Sequence, residues 1–179
     1  MLQNTNTSYG WVARLFHWLM AIVFIGLFGV AYTMMDMGPS DTKWALYGLH
    51  KATGMTILGL SMARLWWRLA NPVPQLPKTV PSWQIMGANF IHYLLYALMF
   101  LMPLSGYLMS VWGSHPISWF GLFTLPMIML PNKDLAGLAH SAHFFFSYIL
   151  IGAFSLHVLG ALYHHCCLKD RVLTRMLKG

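Results

Sequence analysis

From Leu15 to Met35 the chain runs 21 residues without Asp, Glu, Lys or Arg, and from Leu135 to Leu168 it runs 34. A helix needs only about 20 apolar residues to cross a hydrocarbon core about 30 Å thick. Runs of this length fix the solvent before any other feature is considered. Charged residues make up 8% of the 179 and hydrophobic ones 58%, against about 25% charged in soluble domains. That leaves too little polar surface to cover a water-soluble globule, so lipid must solvate much of the molecule.

The expected architecture is all-α, an integral membrane four-helix bundle in one domain over 1–179, with spans at about 12–35, 47–69, 83–112 and 138–168. The second span is the least apolar, with Lys51 and Arg64 near its ends, where long cationic side chains can snorkel. Pro72, Pro74, Pro77 and Pro81 break the chain between spans two and three, and Pro116, Pro126 and Pro131 mark the next connection. Pro103 falls inside the third span as a candidate kink. Residues 1–10 are polar and lack the basic start of a cleavable leader, so the first apolar run is expected to be retained.

Eleven Lys and Arg against four acids give a net charge of +7, yet the cations sit at the ends of apolar runs. That placement argues for membrane orientation rather than nucleic-acid binding. Four spans put Arg14, Arg64, Arg68, Lys78, Lys169, Arg171, Arg175 and Lys178 on one side and Lys43, Lys51 and Lys133 on the other. Positively charged loops stay inside, so both termini are expected in the cytoplasm. Cys166 and Cys167 are adjacent and belong to no CxxC or CxxCH motif, which gives no support to a zinc ribbon or a covalently attached haem.

Nine histidines carry the chemistry, most of them within or beside the spans. An imidazole in lipid is costly unless paired, and intramembrane histidines mark functional sites. His143 and His157 are 14 residues apart on the last span, about 40° short of four turns and about 21 Å along the axis, so they share a face at two depths. His50 matches the depth of His143, and His17 that of His157. Two stacked cross-bundle pairs in an apolar four-helix core suit bis-imidazole ligation of two b-type haems. Spacing leaves the fourth-helix members open: His140 is an alternative to His143, and His164 to His157.

The segments RLFHWLM at 14–20, YGLHKATG at 47–54, IHYLLYALMFLMPLSG at 91–106 and SLHVLGALYHHCCLKDRVLTRM at 155–176 resemble the bacterial cytochrome b561 family over nearly the whole chain. The resemblance implies haem ligation by His17, His50, His143 and His157, with pairs His17/His157 inside and His50/His143 outside. It implies a structural role for His92. It also implies an electron-transfer activity, nearest to oxidation of superoxide with ubiquinone as acceptor. A second reading within the family is a cytochrome subunit relaying electrons between quinone and a partner enzyme. A His-lined metal or proton transporter is disfavoured, since Asp36, Asp41, Asp134 and Asp170 all lie outside the expected spans.

Other residues acquire candidate roles around this centre. Arg14, Arg64, Arg68 and Arg171 are suited to haem propionates, which want charge-assisted partners; Arg14 and Arg68 are the first choices. Lys51, with Lys43 and Lys133 on the same side, could steer a small anion towards the outer pair. At the inner boundary His164, with His165 and Lys169 nearby, is the candidate proton donor to quinone, because imidazole suits proton transfer at neutral pH. Aromatic and Met side chains are read mainly as interfacial anchors and adaptable packing.

Overall fold

Residues 1–75 and 80–179 are described by a computed structural model; Pro77 of the second connection and Lys78 of the inner cation set lie outside the described residues. Four long helices dominate: α1 (Trp11–Asp36), α2 (Asp41–Ala70), α3 (Ser82–Trp112) and α4 (Lys133–Cys166). A short α5 (Val172–Leu177) follows, and two two-residue strands, β1 (Ser118–Trp119) and β2 (Phe123–Thr124), pair antiparallel between α3 and α4. The short strands and α5 were not anticipated. Elements of two and six residues leave no periodicity to read.

Three helices, α1, α3 and α4, are long and apolar enough to cross a membrane. The fourth, α2, is longer than its expected span and starts at Asp41, where Ser40 accepts a hydrogen bond from the Lys43 backbone N–H. Asp41 in its first turn suits the positive end of the helix dipole. Asn132 caps α4 in the same way, accepting from the Leu135 N–H, so α4 also begins earlier than its expected span.

The helices pack in chain order, α1 on α2, α2 on α3 and α3 on α4, and β1 lies against α2. The buried core is small and divided into two clusters. One is built on Met20, Ile57 and Met99, the other on Leu98, Leu150 and Ala153. Large apolar side chains such as Ile22, Leu138 and Phe145 are exposed on the outer surface, as expected of helices whose outer face meets lipid rather than water.

Pro103 sits within a continuous α3 and cannot donate to the Met99 carbonyl. The Ser61 hydroxyl, fully buried on α2, donates to that carbonyl at 3.4 Å. A neighbouring side chain thus satisfies the group that proline orphans.

The start of α1 and the end of the chain meet. Arg14 Nη1 donates to the Leu177 carbonyl and Trp18 Nε1 to that of Met176. The free N–H groups of Trp11 and Val12 donate to the Met1 and Leu2 carbonyls. This return of the chain requires Gly10, because a Cβ there would stand 2.3 Å from the Leu2 oxygen. Asn4 and Gln75 bonds tie residues 72–75 into the same end.

Candidate cofactor sites between the helices

The central helices enclose two cavities, one at each end. The one near the chain termini, called inner here, is lined by His17, His92 and His157 together with Arg64, Arg68, Tyr9 and Tyr96. The outer one is lined by His50, His140 and His143 together with Lys51 and His115. Phe24, Phe28 and Leu150 line both, so they form the partition between them.

In the inner cavity the ring centres of His17 and His157 are 5.9 Å apart. In the outer cavity His50 and His143 are 6.2 Å apart. A metal–imidazole bond is about 2.0 Å, and a ring nitrogen lies about 1 Å from its ring centre, so two imidazoles on opposite sides of one metal stand about 6 Å apart. Both pairs match that separation. His92 is closer to His157, at 5.3 Å, which is ring contact rather than room for an ion.

Second partners of these rings differ between the levels. His143 Nδ1 donates to the Met102 carbonyl at 3.0 Å, with Ser105 Oγ also 3.0 Å away. That fixes the tautomer with Nε2 bare, the form a metal needs. Gly106 makes the arrangement possible, since a Cβ there would approach His143 Cε1 to 3.2 Å. His50 Nδ1 is buried with no hydrogen-bond partner among the described residues; such an orphaned polar atom fits an imidazole left free to be held by a metal.

At the inner level Arg64 Nη2 lies 3.2 Å from His17 Nδ1. Guanidinium only donates, so here Nδ1 accepts and the proton is on Nε2. Ligation through Nε2 therefore requires Arg64 to let go.

The space follows the same pattern. The outer cavity holds about 650 Å³, within the roughly 300–1,000 Å³ usual for cofactor sites. The inner one holds about 150 Å³. The donor set fits haem b at both levels. The room fits as it stands only at the outer one, with Arg64 reaching across the inner.

The inner cavity's polar rim is cationic. Arg64 Nε contacts the Tyr96 hydroxyl at 3.4 Å, and Arg68 stands over the Tyr96 ring. Burial pushes the Tyr9 hydroxyl's pKa above the usual phenol value, against the opposing pull of Arg68, Arg175 and Arg64, so it remains a neutral donor. Arg175 is buried and donates to the Gln75 carbonyl at 2.7 Å. Tyr9 was not singled out in the sequence, yet it lines the inner cavity; Arg175, read only as an inner cation, comes from the opposite end of the chain and acts on the Tyr9 hydroxyl from outside the lining.

Several candidates stand apart from the cavities. Arg14 bonds the Leu177 carbonyl and does not line the inner cavity. His164 lies beyond it, with Nδ1 2.5 Å from Asp170 Oδ2, while Asp170 Oδ1 accepts from the Val172 N–H that starts α5. Lys169 is exposed at φ 52°, where α4 has ended, and Arg171 and His165 are exposed as well. Lys51 lines the outer cavity and donates to the Pro116 carbonyl; Lys43 donates to that of Met37. Cys166 and Cys167 are free and exposed.

Residues 8–179 match the profile of the family described as prokaryotic cytochrome b561. The chain is 34% identical to cytochrome b561 homolog 2 of Escherichia coli K12, over 97% of this chain and 93% of that protein. It is 33% identical to the probable superoxide oxidase CybB of Yersinia pestis, over 90% of each. It is 25% identical to cytochrome b561 homolog 1 of Escherichia coli K12, over 90% of this chain and 92% of the relative.

Proposed function

Because this chain belongs to the prokaryotic cytochrome b561 family, membrane b-type cytochromes that bind haem b and transfer electrons, we propose that it is a di-haem superoxide:ubiquinone oxidoreductase. In this reading it is a four-span bundle of the bacterial inner membrane with both termini in the cytoplasm. His17 and His157 hold the inner haem, His50 and His143 the outer. The observation that carries the reading is the stacking of two imidazole pairs, 5.9 and 6.2 Å between ring centres, in two cavities divided by a thin apolar partition.

Haem b, when bound, supplies a centre that takes and gives one electron at a time. Two superoxide anions each lose one electron and leave as oxygen; one ubiquinone gains both electrons and two protons. Lys51 at the outer cavity, with Lys43 and Lys133 on the same side, biases the approach of a small anion. Phe24, Phe28 and Leu150 exclude water between the levels. Arg64, Arg68 and Tyr9 offer donors to carboxylates at the inner rim. His164, oriented by Asp170, is the proton donor to quinone, with Lys169 as the second choice.

Superoxide as donor draws support from the name of the Yersinia pestis relative at 33% identity. The competing reading, an electron relay serving a partner enzyme, is kept because the Escherichia coli relative at 34% has a name that specifies no substrate.

The test is an oxidised and reduced absorbance spectrum of the purified chain, followed by addition of superoxide and ubiquinone. Two haems per chain, with quinone reduced as superoxide disappears, is the expected result. One haem or none sinks the di-haem arrangement. Two haems with no superoxide consumption leaves the relay.

A further inference from the structure

Between Lys78 and Lys133 the chain contains no Asp, Glu, Lys or Arg. That interval includes the whole connection from α3 to α4, where an aqueous loop would be expected to carry charge. Its apolar side chains are outward: Leu122 is 74% exposed, Ile128 69% and Leu130 86%. Scattered apolar residues on a surface mean little, but a contiguous exposed patch marks a contact with something apolar.

The connection does not project away from the helices. Three hydrogen bonds draw it back along them. Lys51 Nζ donates to the Pro116 carbonyl, Trp119 Nε1 to Thr56 Oγ1, and Tyr107 OH to the Pro126 carbonyl. Lys51 and Thr56 are ten and fifteen residues past the start of α2, about 15 and 22 Å along its axis. Tyr107 is five residues, about 7.5 Å, short of the end of α3. Ile117 is buried and β1 packs on α2.

The first half of the segment pairs part of its own backbone. Ser118 pairs with Thr124 and Trp119 with Phe123. The Leu125 N–H donates to the Ile117 carbonyl and the Leu122 N–H to that of Trp119. That last bond closes a turn with positive φ at both Phe120 (50°) and Gly121 (77°), the primed type that suits a hairpin. Irregular backbone does not stand exposed to lipid within the hydrocarbon core. Residues 127–130 make no backbone hydrogen bond among the described residues, so this backbone belongs at the hydrated interface while its apolar side chains can reach below it.

We infer that residues 116–131 lie in the membrane interface at the His50–His143 end, with the side chains of Leu122, Ile128 and Leu130 turned into the acyl chains of that leaflet rather than into water. The segment's occupant is lipid, because the side chains it exposes are large and apolar and its lack of charge gives a polar or charged partner no foothold. The inference rests on α2 crossing the membrane as proposed above.

Single cysteines placed at Leu122 and Leu130, in a protein with Cys166→Ser and Cys167→Ser, would carry nitroxide labels in lipid nanodiscs. Collision with oxygen, which favours lipid, is compared with collision with a water-soluble nickel chelate. Ile22→Cys on α1 is the lipid reference and Pro39→Cys the water reference. Met62→Cys, exposed on α2, reports on the fourth span. Leu122 and Leu130 labels should match Ile22. Matching Pro39 instead, while Met62 matches Ile22, overturns the lipid-facing segment alone. If Met62 also matches Pro39, the inference falls together with the four-span reading. Where the Leu122→Cys protein does not accumulate, Ile128→Cys replaces it.

Discussion

On the proposed di-haem reading, His143 and His17 face the same task with different preparation. The His143 ring is held in the metal-binding tautomer by the Met102 carbonyl and Ser105, and the cavity before it is open. His17 is engaged by Arg64 through the nitrogen that would have to carry a proton on ligation. Stepwise addition of haem b to the cofactor-free protein should therefore fill the His50–His143 level first. In absorbance titrations His143→Ala should abolish that first phase, and His157→Ala should retain it and lose about half of the total haem. Equal affinity for the one haem left to each variant would refute the difference in preparation. The 14-residue interval that separates the two levels was legible because helical periodicity is local. The Arg64–His17 contact joins residues 47 positions apart on different helices, and no local pattern encodes it. His164 tests a separate assignment: His164→Ala should keep normal haem spectra and lose most quinone reduction, and unchanged turnover would remove it from the site.

At the scale of elements, α3 shows how a membrane helix tolerates proline. The Ser61 hydroxyl supplies the donor that Pro103 withholds from Met99. Ser61→Ala should lower the thermal midpoint, through a loss of about 1–3 kcal/mol for a buried carbonyl left unpaired, as followed by circular dichroism in detergent. Ser61→Cys should recover part of it. The uncharged runs made most ends of the long helices legible, but α2 and α4 start six and five residues ahead of their expected spans, behind the caps Ser40 and Asn132, because charged first turns fall outside an apolar run. The least apolar helix, α2, packs against α1, α3 and β1, which leaves less of its surface for lipid and relaxes the demand on its composition. The strand pair and α5 were invisible beforehand because their stability is tertiary: Trp119 leans on Thr56 and Arg175 on Gln75.

For the whole molecule, the offset between His143 and His157 has an electrical meaning. About 21 Å of helix rise is about two-thirds of a 30 Å hydrocarbon core. Charge crossing the full membrane works with or against about 2.3 kcal/mol per 100 mV, so an electron passing between the two levels meets about 1.5 kcal/mol of that. Inward flow, as proposed, is opposed by the resting potential of a bacterial cell. In proteoliposomes a potassium diffusion potential of about 100 mV should shift the reduced fraction from one level to the other by about tenfold, and collapsing it with valinomycin plus a proton carrier should restore the balance. A spectrum indifferent to voltage would mean that the levels lie side by side in the field. On the proposed reading, fourteen residues of one helix act as a voltmeter and make the cell's energy state a partner in the reaction.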